Sequence, residues 1–130
     1  VVSSAPRDHH SLLQLYLDGP PDKLFYIFSV KSKKKMKTSN YIFEKPLEHV
    51  KNKELSKIIL SQKNALIEVF KKKKIPFREF KFNGTDEETL GELFSYFMLE
   101  TVLIGTQIGV NPFNQPAVEE VKTITKHHLV

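Results

Sequence analysis

At 130 residues, with 40% hydrophobic and 27% charged residues and ten phenylalanines, the chain has the size and composition of one ordinary folded domain, which excludes a disordered polymer. The absence of cysteine excludes disulfides and thiolate metal centres, and it favours a reducing compartment, so a cytoplasmic location is expected. The net charge of +5 rests on eighteen lysines against two arginines, a balance poorly suited to bidentate reading of bases.

The first residues, VVSSAPRDHH, show neither an initiator Met nor the basic-then-apolar order of a signal peptide, so the chain is expected to begin mid-protein. Asp8 is a candidate helix cap, and Leu12, Leu13, Leu15, Tyr16 and Leu17 follow it before Asp18-Gly19-Pro20-Pro21 breaks the pattern. A helix of about ten residues is predicted. Leu24 to Val30 is a nearly continuous apolar run of strand length, and it predicts a buried strand. Lys31 to Asn40 mixes like charges with Ser, Thr and Asn and has no apolar period, which predicts an exposed, mobile connection. Tyr41-Ile42-Phe43 is a candidate short edge element.

From Glu54 to Lys74, Leu55, Ile58, Ile59, Leu66, Val69 and Phe70 recur at helical spacing, so one long amphipathic helix is expected. Its carboxy end falls at Lys71 to Lys74, where cations offset the helix dipole. That local role accounts for the lysine run, and neither it nor Lys33 to Lys35 is interleaved with the aromatic residues that stack on bases. A basic module binding nucleic acid or another polyanion is therefore the disfavoured alternative.

Phe77 to Phe82 alternates imperfectly, and its aromatic content predicts a second strand, parallel to the first and joined to it through the long helix. Asn83-Gly84 turns the chain, and Thr85 with Glu88 forms a capping-box pattern before a helix that is apolar on every face and is expected to lie buried in a larger assembly. The longest apolar run, Leu93 to Val110, carries Glu100, Thr101, Thr106 and Gln107, which argues against a membrane span. The order of elements indicates an α/β fold with a thin sheet, part of which is expected to lie outside this chain.

Pro116 suits the first position of a last helix, which puts Gln115 at its amino edge. Seven residues on, Lys122 projects from about the same face, roughly 10 Å farther along the axis. An amide beside free backbone donors, with an ammonium two turns away, is chemically suited to a sugar phosphate. No Gly-rich phosphate loop, nucleophile elbow or HExxH zinc motif occurs, and the other histidines show no metal-ligand spacing.

The stretch GTQIGVNPFNQPAVEEVK, from Gly105 to Lys122, resembles the carboxy-terminal signature of glucose-6-phosphate isomerases. Gly105, Gln107, Ile108, Phe113, Asn114, Gln115, Ala117, Val118, Glu119 and Lys122 occupy its positions in order, with Asn114 where Asp is usual and Ala117 where Gly is usual. The preceding LGELFSYFMLETVLIG is similar to the family's buried helix. Near the start, RDHHSLLQLYLDGP resembles a second family segment through Arg7, Asp8, His10, Ser11 and Gln14, with His9 in place of the usual Gln.

The resemblance implies the carboxy-terminal part of the second sugar-isomerase domain over residues 1–130. That domain is of three-layer α/β type, with a small parallel sheet flanked by helices and followed by carboxy-terminal helices. It implies conversion of glucose 6-phosphate and fructose 6-phosphate through a cis-enediol, with no metal or organic cofactor, in a homodimer whose ring-opening histidine reaches a neighbour's site. Carried onto this sequence, His10 assists ring opening, Lys122 acts with it and stabilises developing charge, and Gln115 holds the substrate near its phosphate. The family's general-base Glu, active-site Arg and phosphate loop belong upstream of the region matched, so the chain alone is expected to be inactive.

Overall fold

The computed structural model describes residues 2–32, 35–41 and 45–129. Instead of the single unit that its length suggests, the chain divides into two compact units, Val1–Gly84 and Thr85–Val130.

The first unit runs α1 (His9–Asp18), β1 (Phe25–Val30), a 3-10 helix (Lys45–Val50), α2 (Leu55–Lys72) and β2 (Phe77–Phe82). The two strands pair in parallel, with Phe25 opposite Phe77 and Val30 opposite Phe82. A parallel pair needs a crossover, and α2 supplies it, as its amphipathic spacing predicts. One face of the sheet carries Phe25, Ile27 and Ser29 with Phe77 and Glu79, and this face meets α2. Phe70 of α2 is only 1% exposed. Its ring lies 4.9 Å from that of Phe25 and 5.8 Å from that of Phe77, and Tyr16 of α1 meets Phe25 edge-on at 5.1 Å. These four rings tie both strands and both helices to one point, and burying one such ring stabilises by about 1.5–3 kcal/mol.

The other face is a ladder of aromatic rings. Phe28 stacks on Phe80 at 5.1 Å and on Phe82 at 6.2 Å, while the Arg78 guanidinium lies 5.7 Å from the ring centre of Tyr26. Here the expectation of a buried strand needs correction: β1 alternates half-buried with exposed residues, and Tyr26, Phe28 and Val30 are the exposed set. A continuous apolar run calls for cover on both faces, and within this unit α2 covers one.

The segment from Lys31 to Asn40 is exposed along its described residues except at Thr38. Thr38 is nevertheless tied down: its N–H donates to Lys53 O at 3.0 Å, its Oγ1 donates to Val50 O at 2.5 Å, and Leu55 N donates to Met36 O at 2.8 Å. Ile42 and Phe43, of the expected edge element, and Lys33 and Lys34, of the first lysine run, lie outside the described residues.

The second unit holds α3 (Glu87–Gln107) and α4 (Pro116–His128). The cap of α3 is Asp86 and not Thr85: the Asp86 carboxylate accepts from Thr89 N at 2.8 Å. Asp86 adopts the extended backbone that a cap requires and reaches three residues ahead. Asp8 stands at the cap position of α1 but makes no capping hydrogen bond. Its carboxylate is taken instead by Arg7 and by the N–H of Ser4. α3 leaves Phe94, Met98 and Leu103 more than 60% exposed. No helix among the described residues is long and apolar enough to cross a membrane.

Candidate functional site

Gln115 is the cap residue of α4, and Pro116 occupies the first helical position, as the proline rule predicts. The Gln115 side chain makes no capping hydrogen bond, while its backbone carbonyl accepts from Val118 N at 3.0 Å and Glu119 N at 3.1 Å. The amide is thus not used in capping its own helix. The loop before it is pre-shaped, because Asn111 Oδ1 accepts from Phe113 N at 2.9 Å in an Asx turn.

Lys122 lies on the same helix, seven residues on, so the two side chains are set about 10 Å apart along the axis. Its Nζ donates to Glu119 Oε1 at 2.6 Å. Both members of that pair are well exposed, at 60% and 68%, so it orients the ammonium more than it stabilises the helix. Glu119 falls within the signature, and its spacing three residues before a lysine is the signal in the sequence for this pair. An amide at a helix amino end and an ammonium two turns along offer hydrogen-bond donors about 10 Å apart on one helix.

His10 belongs to the first unit. It is the second residue of α1 and is exposed. Beside it, the Arg7 guanidinium, then the N–H of Ser4, hold the Asp8 carboxyl below its ordinary range. That arrangement ties the segment before α1 to the helix start, and His10 projects from the helix so anchored. Gln115 and Lys122 therefore share one rigid element, whereas His10 is carried by another unit. Among the described residues, no group of three or more His, Asp or Glu comes together to hold a metal ion.

No family model matches the chain. Individual proteins do. A probable glucose-6-phosphate isomerase of Methanococcus maripaludis is 32% identical over 129 residues, which is 99% of this chain and 29% of that protein. The glucose-6-phosphate isomerase of Methanocaldococcus jannaschii is 32% identical over 124 residues, covering 95% of the chain and 30% of the relative. Along nearly its whole length the chain is similar to glucose-6-phosphate isomerases. The glucose-6-phosphate isomerase of Mycoplasmopsis synoviae agrees, at 34% identity over 118 residues, or 88% of the chain. The chain spans under a third of the length of these glucose-6-phosphate isomerases.

Among solved structures, a hypothetical protein of Thermus thermophilus superimposes with a TM-score of 0.78 at 23% identity, covering 97% of this chain and 31% of its own. That likeness shows the fold: the parallel pair flanked by helices is an arrangement that recurs within a protein about three times as long.

Proposed function

We propose that the chain is the carboxy-terminal portion of a glucose-6-phosphate isomerase, within its second sugar-isomerase domain, and that it contributes three groups to the isomerisation of glucose 6-phosphate and fructose 6-phosphate. The observation that carries the reading is the relationship to isomerases along 99% of the chain, joined to one helix that presents Gln115 and Lys122 seven residues apart.

In this reading Gln115, at the amino edge of α4, holds the substrate near its phosphate, at the end of the helix where the dipole favours negative charge. Lys122, oriented by Glu119, offers an ammonium to the oxygen on which charge develops as the enediol forms. His10 moves a proton between the ring oxygen and the anomeric hydroxyl, which an imidazole does near neutral pH. The carbon-bound proton is removed by a general base outside this chain, and the complete enzyme works in the cytoplasm as a dimer that lets His10 serve a neighbouring site. The 130-residue chain alone is inactive.

The test is a chimera in which this chain replaces the matching third of the Methanococcus maripaludis protein, assayed for fructose 6-phosphate conversion. Lys122→Ala lowers kcat by about 100-fold or more, as loss of a charge aimed at the transition state does. Lys126→Ala, one turn farther along, leaves it within about twofold. Equal activity of the two variants removes the assignment of Lys122, and isomerisation by the 130-residue chain alone removes the claim that its base lies elsewhere.

A further inference from the structure

Two helices of this chain end in the same way with different residues. After α3, Gly109 takes the left-handed conformation at φ 73°, with Gly109 N donating to Thr106 O and Val110 N to Gly105 O. After α2, Lys74 takes it at φ 57°, with Lys74 N donating to Lys71 O and Ile75 N to Phe70 O. Both are Schellman ends, in which the left-handed position ordinarily falls to glycine because a Cβ is penalised there. The turn geometry at position 74 therefore favours glycine over lysine, whose charge offsets the helix dipole but whose Cβ is penalised there. A non-glycine residue held in this region is a reason to look for what its side chain does.

Lys74 lines a cavity of about 270 Å³ at the end of the sheet where both strands begin. Its wall brings together Tyr16 and Pro20 at the end of α1, Lys23 before β1, and Lys73, Lys74 and Pro76 between α2 and β2. Two of the three ammonium groups are already held in place, Lys73 by Asp18 and Lys23 by Asp22 and by Pro20 O at 3.1 Å. Neither carboxylate lines the cavity, and an ammonium with one acceptor keeps donors to spare. Among the described residues no carboxylate pairs with Lys74.

We propose that this cavity binds a phosphoryl group, which the ammonium groups of Lys23, Lys73 and Lys74 receive. Three ammonium donors from two segments suit an anion with three equivalent acceptor oxygens better than a planar carboxylate, which has two. The rings of Tyr16, Pro20 and Pro76 give the remaining wall an apolar surface for the organic part of an ester. The site is lined by residues of the first unit, neither Gln115 nor Lys122 among them, and stands whether or not the chain is part of an isomerase.

The experiment follows thermal unfolding of the 130-residue chain in inorganic phosphate, in phenyl phosphate and in sodium chloride at matched ionic strength. The expected result is a saturable rise in midpoint with either phosphate and none with chloride. A tighter response to phenyl phosphate identifies an ester as the ligand, and a tighter response to inorganic phosphate identifies the free ion; both support the site. Lys74→Gly separates ligand from fold, because it raises the midpoint without ligand by about 2–4 °C while weakening phosphate binding by about tenfold or more. Lys23→Gln weakens binding without the gain in midpoint. Equal protection by chloride, unchanged binding in Lys74→Gly, or a lowered ligand-free midpoint in that variant overturns the proposal.

Discussion

Lys63 donates a 2.6 Å hydrogen bond to Glu79 Oε1 and so fastens the middle of α2 to the half-buried face of β2. The two side chains are 16% and 18% exposed, and Lys81 approaches the second carboxylate oxygen at 3.2 Å. The Lys63 hydrogen bond, supported by Lys81 and opposed by burial, holds the Glu79 carboxyl below its ordinary range. A carboxyl lowered by folding stabilises the native state above its unfolded value and loses that contribution as pH falls through the native one. Glu79→Gln therefore lowers the free energy of unfolding by about 1–2 kcal/mol at pH 7, and the gap to wild type narrows below about pH 4. Urea unfolding at pH 7 and pH 3.5 reads both quantities; a gap independent of pH counts against the pair.

Phe70 is the point where both strands meet α2, so Phe70→Ala removes about 3–5 kcal/mol. That approaches the whole stability of a small unit. Phe70→Leu keeps most of the volume and is milder. Circular dichroism in urea distinguishes them, and equal midpoints for the two variants would show that the rings do not organise the unit.

Asp86, and not its neighbour, closes the start of α3. Asp86→Ala costs about 1 kcal/mol, whereas Thr85→Ala, which removes no cap, is close to neutral. A comparison of their thermal midpoints decides between the two residues; the opposite order would restore the Thr85 cap.

Hydrogen exchange tests the connection before α2. The amides of Thr38 and Leu55, bonded to Lys53 O and Met36 O, exchange at least about tenfold more slowly than that of Ser39. Uniformly fast exchange across the segment would return it to the loose connection that its charges suggest.

Helical spacing from Leu55 to Phe70, the breakers at Gly19-Pro20-Pro21 and the proline at 116 placed the elements within a residue or two, because each is a local signal. What escaped was settled by contacts or by competition between neighbours. Thr85 and Asp86 are both good caps one residue apart, and backbone geometry chose the second. Lysine is not a residue that marks a left-handed turn, so the end of α2 at Lys72 could not be told from its continuation to Lys74. The alternate exposure of β1 depends on what lies over each face of the sheet, about which an apolar run is silent. For the site, the spacing of Gln115 and Lys122 follows from the period of one helix. No such rule connects either of them to His10, which another unit carries.

Gly105 is the buried residue of α3, and a Cβ built on it would stand 3.1 Å from Pro112 Cβ and 3.3 Å from Val110 O. The small residue that opens the signature is thus a spacer, which sets how closely the loop can fold back before α4 begins. Alanine there would push Pro112 outward by a few tenths of an ångström, and any larger side chain by more, carrying Gln115 with it. Sequence drift at a position with no functional group of its own would then be felt as misplacement of one that has, and a change at Gly105 would be rescued by trimming the loop rather than by restoring any chemistry.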